Sequence, residues 1–406
     1  MFDNVIGQEA LVKTLISDIQ NNTLPRAILL HGPRYSGKLT LALELARVLH
    51  CRQTDAPWGC TCSQCNQHRL LMSPYTLMLG PRYFLDEIAL TSRALVADDR
   101  EPLRYLFVRS IRKLTNRFDG TLWEGEDQKL SKAIPLIDSI EQAMEPLLPG
   151  SEALLKKRDS QVSKIRDICE KLVTLLPADG HSVHFIRKAS YWAHMTSTTA
   201  RKVIILEDTE RLNESSRNSL LKILEEPPEG SFFILLTTRL TGIIPTLRSR
   251  LRVYHCPGRT EELENQVLQR IFRLSPEPGT SQFQSPLQRT FENQLSKGDV
   301  DTWIEEFYRA LEAPSGSFPL VVRVGQWIES VTPGLRRDLV RQFLQGLTRR
   351  IQRELVEAPT DGGAAGTFQK QHRILQTIDQ QYQRYEQYNI PLATVIEQIF
   401  FAGTEV

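Results

Sequence analysis

Long apolar runs are what this chain of 406 residues most plainly lacks. No stretch approaches the about eighteen consecutive apolar residues that cross a bilayer, so no membrane-spanning helix is expected. The opening Met-Phe-Asp-Asn has neither the charged nor the apolar region of a signal peptide, and the expected location is cytoplasmic. A surplus of one charge sign is missing too: 50 Lys and Arg stand against 48 Asp and Glu, a net +2. That balance gives no global field for nucleic acid, so any such contact is local or shared with partners. Cysteine is scarce at six, yet Cys51, Cys60, Cys62 and Cys65 are clustered while Cys169 and Cys256 stand alone. In a reducing compartment such clustering reads as metal before disulfide. Hydrophobic residues make up 41% of the chain, enough for two or three domains with their own cores.

The most informative stretch runs from Arg201 to Pro257. Lys202, Val203, Ile204, Ile205 and Leu206 form a short apolar run that suits a parallel strand covered on both faces. Glu207 and Asp208 fall at its carboxyl end, where open α/β sheets place their ligands. Asn213 and Glu214 open a helix whose Leu220, Leu221 and Leu224 recur at core spacing, and the run Glu225, Glu226, Pro227, Pro228 ends it. Phe232 to Leu236 predicts a second strand closing in Thr237 and Thr238, before Leu247-Arg-Ser-Arg-Leu251.

Earlier in the chain, Ala27 to Leu30 is an apolar strand leading into Gly32-Pro-Arg-Tyr-Ser-Gly-Lys38-Leu-Thr40 and the helical run Leu41 to Leu49. This is the spacing and context of a P-loop, in which backbone N–H groups and a helix start cradle phosphates and the lysine neutralises them. Gly32, Ser36, Gly37 and Lys38 are the candidate phosphate ligands. The residue after the lysine should carry a hydroxyl for Mg²⁺, and here it is Leu39. Thr40 lies one position on, about 100° further round the helix, and does not simply substitute. ATP or ADP binding is compatible with the loop, but metal-assisted hydrolysis is not favoured. Cys51, Cys60, Cys62 and Cys65 match the all-cysteine demand of a structural zinc, the alternatives being free thiols or three ligands.

Taken together, Asn218-Ser-Leu-Leu-Lys-Ile-Leu-Glu-Glu-Pro-Pro-Glu229, then Phe-Ile-Leu-Leu-Thr-Thr and Leu-Arg-Ser-Arg, closely resemble the bacterial clamp-loader family of AAA+ proteins, most of all its delta-prime branch. These proteins place the sliding clamp of the replicative DNA polymerase on DNA. The resemblance implies an α/β fold, an AAA+ parallel-sheet domain with a small zinc module and a helical insertion, then a helical lid and a helical collar. It identifies Glu207 and Asp208 with Walker B, Thr237 with sensor 1, and Ser249 to Leu251 with the Ser-Arg-Cys motif. Arg250 then becomes an arginine offered in trans to a neighbouring motor subunit. Departures accompany the match: Tyr35 stands where the family usually has a third glycine, Glu and Asp are exchanged in Walker B, Leu251 replaces a cysteine, and only Thr61 separates Cys60 from Cys62.

The implied layout is an AAA+ core over 1–257, with the zinc module near 51–65 and the insertion near 81–180, a lid over 258–313 and a collar over 314–406. Motor (tau/gamma) and delta subunits, the sliding clamp and primed DNA are the implied partners. An active motor of the tau/gamma type, or another AAA+ remodeller, is the alternative. Within the insertion Leu103, Phe107, Ile111, Leu114 and Phe118 predict one helical stripe, and Ile165, Ile168, Leu172 and Leu176 another. Arg104, Arg109, Arg112, Lys113 and Arg117 give the first helix a basic face, for phosphates or an acidic partner if not simply solvated. Ser275 to Ser281 and Pro359 to Gly366 read as loops.

Overall fold

The computed structural model describes residues 1–151, 158–177, 181–195, 201–274, 297–312, 318–330, 333–357, 364–388 and 390–404. The apolar runs become strands β1 (Ala27–His31), β2 (Thr76–Leu79), β3 (Lys202–Leu206), β4 (Ser231–Thr237) and β5 (Arg252–His255). They form a sheet in the order β2-β3-β4-β1-β5, with every neighbouring pair parallel. The expected α/β parallel-sheet architecture is thus present. Successive side chains of a strand face opposite sides, and the two sides have separate cores. Leu29, Leu77, Leu79, Ile204, Leu206, Phe233 and Leu235 face one, while Ile28, Leu30, Met78, Val203, Ile205, Ile234 and Leu236 face the other. Continuous rather than alternating hydrophobicity in these strands follows from burial on both faces.

Helices α1 (Glu9–Gln20), α2 (Lys38–His50) and α3 (Ser63–Arg69) precede the insertion. Leu11 and Leu15 of α1, with Leu39, Leu41 and Leu45 of α2, fill the second core. The insertion supplies α4 (Phe84–Ala97), α5 (Glu101–Thr115), the short α6 (Gly120–Trp123), α7 (Asp127–Met144) and α8 (Arg158–Val173). Leu103, Phe107, Ile111, Leu114 and Phe118 are buried as their spacing predicts, joined by Ile165 and Leu172 of α8. This helical layer packs into the same core as the first face of the sheet.

The basic face of α5 is neither solvated nor offered to a partner, which corrects both sequence expectations. Arg104 donates to Asp99 at 2.9 Å and to the Ser151 carbonyl at 3.0 Å. Arg109 donates to the carbonyls of His68 at 2.9 Å and Arg69 at 3.0 Å, and Arg112 to that of Leu70 at 3.0 Å. Lys113 pairs with Glu87, and just beyond the helix Arg117 donates to the Gly80 carbonyl at 3.0 Å. Long guanidinium stems bury their methylenes and deliver their donors to backbone oxygens beyond. The face fastens the insertion to the carboxyl end of α3 and to the residue that follows β2.

After the insertion come α9 (Val183–His194), α10 (Glu214–Glu225), the single turn α11 (Pro245–Arg248) and α12 (Glu261–Val267). Asn213 caps α10 by accepting from Ser216 N–H at 2.9 Å, and Thr260 caps α12 by accepting from Leu263 N–H at 3.4 Å. Helix α12 passes into a π-helical turn over Leu268–Phe272. Residues 275–281 lie outside the described residues.

The chain divides into two units, Met1–Phe291 and Glu292–Val406. The second unit consists of α13 (Lys297–Glu312), α14 (Phe318–Ser330), α15 (Pro333–Glu357), α16 (Ala364–Tyr388) and α17 (Leu392–Thr404). Phe307 and Leu311 of α13, Val324 and Ile328 of α14, Phe343 and Leu347 of α15, Ile374 of α16, and Val395 and Ile399 of α17 make its core. Helix α13, within the stretch expected to be lid, packs in this bundle. Of the loop expected at Pro359 to Gly366, residues 359–363 lie outside the described residues, and Ala364 to Gly366 open α16. Among the described residues no helix is long and apolar enough to cross a membrane.

Phe107 is fully buried where the insertion meets the sheet. Its replacement by Ala should lower unfolding free energy by about 3–5 kcal/mol, read from denaturant midpoints at unchanged m-value.

Candidate functional site

The loop between β1 and α2 has the backbone of a phosphate cradle. Gly37 sits at φ +92 before the first turn of α2, a conformation that side chains disfavour. At Gly32 an added Cβ would lie 2.0 Å from the Cys256 carbonyl oxygen, so only glycine lets β1 and the end of β5 approach this closely. Tyr35 takes φ +59 without being glycine. It supplies the left-handed turn at the position where the resemblance leads one to expect a third glycine.

Side chains of the same chain bond to the backbone in and around this loop. Lys38 Nζ donates to the carbonyls of Gly32 at 2.7 Å and Pro33 at 2.6 Å, and lies 3.4 Å from Ser36 Oγ. Burial holds its pKa down to about 8, against the upward pull of Cys256 and of Asp208, Glu210 and Glu207 across the site. Gln8 Nε2 donates to the carbonyls of Ser36 and Pro257, each at 2.9 Å. Arg259 donates to Tyr35 O and, at 2.9 Å, to Ile6 O. Its guanidinium lies so close over the loop that a Cβ on Gly37 would meet it at 2.4 Å. Leu39 turns into the core, with no oxygen to offer, and Thr40 follows it on α2. Sequence reasoning missed Arg259; its only linear signal is a basic residue between a strand end and a helix cap.

Glu207, directly after β3, is 6% exposed, and both its oxygens are engaged. Arg82 donates to Oε2 at 2.8 Å and Arg117 pairs with Oε1. Arg82 also donates to Glu87 at 2.9 Å, and Glu87 pairs with Lys113. Burial alone would raise the pKa of Glu87, but Arg82 and Lys113 bring it down from 4.5 to about 2. Asp208 adopts φ +48, and its carboxylate lies 3.7 Å from Arg211. Thr237 is buried at the end of β4, its hydroxyl donating to Arg239 O at 3.0 Å and accepting from Arg239 N–H at 3.1 Å. The ends of β1, β3 and β4 therefore bring the P-loop, Glu207, Asp208 and Thr237 to one edge of the sheet. Arg82 and Arg117, both from the insertion, were not foreseen as their partners.

Arg250 follows α11. Its guanidinium donates to Thr246 O at 2.8 Å, pairs with Glu225 at the end of α10, and keeps 31% of its side-chain surface exposed. Leu251 beside it is 7% exposed and belongs to the first core, which accounts for an apolar residue there.

Cys51, Cys60, Cys62 and Cys65 converge although one residue alone separates the middle pair. Their sulfurs all lie within 4.8 Å of one another, with Cys51 and Cys60 at 3.6 Å. Zn–S bonds of about 2.3 Å in a tetrahedron place sulfurs about 3.8 Å apart, so the set fits a metal ion such as zinc. Cys62, in extended conformation, ends the tight link and caps α3, whose first turn delivers Cys65. Against the upward push of burial, N–H groups of Arg52 and Cys65 draw the Cys62 thiol down to about 6.

A family model described as "DNA polymerase III, delta subunit" matches residues 7–80 and 159–259. The unmatched stretch between them holds Arg82 and Arg117. A DNA polymerase III subunit delta' of Buchnera aphidicola subsp. Baizongia pistaciae is 41% identical over 61 residues, 15% of this chain and 18% of that protein. A DNA polymerase III subunit gamma/tau of Mycobacterium bovis is 31% identical over 108 residues, 23% of this chain and 18% of that one. The match thus spans 18% of each relative's length. A DNA polymerase III gamma subunit-related protein of Thermotoga maritima aligns with 60% of this chain and 89% of its own at 18% identity, with a TM-score of 0.27.

Because Glu87 ionises more readily in the fold than in the unfolded chain, its contribution to stability is complete above pH 4.5 and is lost as pH falls toward 2. Denaturant unfolding at steps between about pH 5 and pH 2 should show that loss. Glu87→Gln should flatten the slope while lowering stability at neutral pH.

Proposed function

We propose that this chain, similar over residues 7–80 and 159–259 to the DNA polymerase III delta subunit family, is a delta-prime-like, largely non-hydrolysing clamp-loader subunit of the AAA+ type that helps load the sliding clamp onto primed DNA. The observation that carries this reading is the capture of Glu207 between Arg82 and Arg117. A Walker B carboxylate must be free for Mg²⁺ or to orient the attacking water. Here both oxygens are spent on buried guanidinium groups, and releasing one leaves a buried charge unpaired at a cost of about 3–5 kcal/mol. Leu39 removes the hydroxyl ligand independently. Lys38 and Arg259, held by backbone carbonyls, add a third obstacle to ordinary nucleotide binding at Gly32, Ser36, Gly37, Thr40, Asp208 and Thr237.

Arg250 is the residue proposed to act on chemistry, in trans. Half-exposed at the end of a short turn, it suits delivery of a guanidinium to a phosphate held by a neighbouring motor subunit. There it would stabilise the charge that develops as the phosphoryl group transfers. The motor and delta subunits are the proposed partners, with clamp and DNA met through the complex in the cytoplasm. The proposed layout is an AAA+ core over 1–257, followed by a lid and then a collar whose helical bundle includes α13. The four cysteines are proposed to hold one structural zinc, which would cross-link the loop between α2 and α3 and supply no open position for catalysis.

A motor reading draws on the gamma/tau relatives. It would require Glu207 to leave two arginines and Leu39 to be tolerated.

ATP turnover by motor and delta subunits with clamp and primed DNA should fall by about 10³-fold or more when this chain carries Arg250→Ala, and barely change with Lys38→Ala. The chain alone should be inactive. Turnover by the isolated chain would establish the motor instead, and indifference to Arg250→Ala would remove the trans role. Metal analysis of protein purified without chelator should find about one zinc per chain, lost under strong chelation.

A further inference from the structure

We propose that Arg47 is the outer-sphere partner of the cysteine centre, orienting Cys65 toward the metal and joining the centre to the amino-terminal arm through Glu44. This rests on the zinc reading above.

Arg47 lies on α2, one turn before Cys51, and is 2% exposed. Its guanidinium has five N–H donors, and the surroundings engage every one of its nitrogens. Nε and Nη2 fork onto Glu44 at 3.0 and 2.7 Å. Nη2 reaches Ala56 O at 2.9 Å, and Nη1 reaches Pro57 O at 3.3 Å and Cys65 Sγ at 3.1 Å. Glu44, itself 3% exposed, also accepts from the N–H of Phe2 at 3.3 Å. A continuous buried path therefore runs from the Cys65 sulfur through Arg47 and Glu44 to the start of the chain.

The contact to sulfur distinguishes this arrangement from an ordinary staple. A buried ion pair with two carbonyl contacts would already hold the loop before Cys60. Directing a further cationic donor at a sulfur is favourable chiefly when that sulfur carries charge, because hydrogen bonds to ionised acceptors are about twice as strong as neutral ones. Four thiolates around a divalent ion retain two formal negative charges, so Cys65 within the centre is such an acceptor. Partners of metal ligands fix ligand direction, and that matters more here because the link from Cys60 to Cys62 is one residue long. Arg47 holds the chain on both sides of that link, at Ala56 and Pro57 before it and at Cys65 after it. The guanidinium groups of Arg47 and Arg69 also lie 5.7 and 6.0 Å from the Trp58 ring centroid in the same loop.

The full chain, with Arg47→Met and Arg47→Lys variants, would be titrated with zinc against a chromophoric chelator, then reconstituted with Co²⁺ to record thiolate-to-cobalt charge-transfer bands. Arg47→Met should weaken zinc binding by about 10- to 100-fold and shift the bands, and Arg47→Lys should recover part of both. Hydrogen exchange at Phe2 should quicken in Arg47→Met and on zinc removal from the native chain. Native zinc affinity and native bands in Arg47→Met would overturn the proposal. So would metal loss that tracks loss of cooperative unfolding in both variants, the mark of a staple alone. A native chain that binds no zinc would remove the zinc reading itself, a separate outcome visible before any variant is made.

Discussion

The pairing of Glu207 with Arg82 and Arg117 is the constraint on which the rest of the first unit depends. It joins the tip of β3 to a helical layer that is sequence-distant from it, and it does so with charges sealed from water. Such a pair holds only while its whole surroundings hold, since either partner left alone in the interior is heavily penalised. The hydrophobic face of the insertion supplies adhesion; the ion pairs supply register. Gly80 fits the same junction, because a Cβ there would come within 2.5 Å of the Glu207 carbonyl oxygen.

Much of this architecture was legible in the chain because its causes are local. Continuous apolar runs marked β1, β3 and β4, Asn213 marked a helix start, and the stripe from Leu103 to Phe118 marked a buried face. The clustered cysteines pointed to a set able to hold a metal ion before any distance was known, and their sulfurs converge even with a shortened link. The basic face of α5 shows where such reading stops. A helical arrangement of Arg and Lys looks the same in sequence whether it meets solvent, phosphate or the backbone of another segment. Only the fold places the His68, Arg69 and Leu70 carbonyls opposite it.

Arg259 and Arg82 illustrate the same limit within the candidate site. Their effects depend on partners more than a hundred positions away, Ile6 and Tyr35 for one and Glu207 for the other. The linear motif showed departures from the P-loop pattern at Leu39 and Tyr35, but not that Gln8, Lys38 and Arg259 would bond to carbonyls in and beside the loop. Tyr35 also shows how a motif residue can be replaced while its backbone conformation is retained, at the expense of the left-handed geometry that glycine adopts freely.

Arg250 and Glu225 meet at the surface, with 31% and 55% of their side chains exposed. A pair so open to water and salt contributes at most about 1 kcal/mol, unlike the sealed pairs around Glu207. The two kinds of arginine therefore differ in how readily they change company. The interior ones stay paired for as long as the fold holds, whereas Arg250 can exchange its partner for a fraction of the energy that the buried pairs around Glu207 would demand.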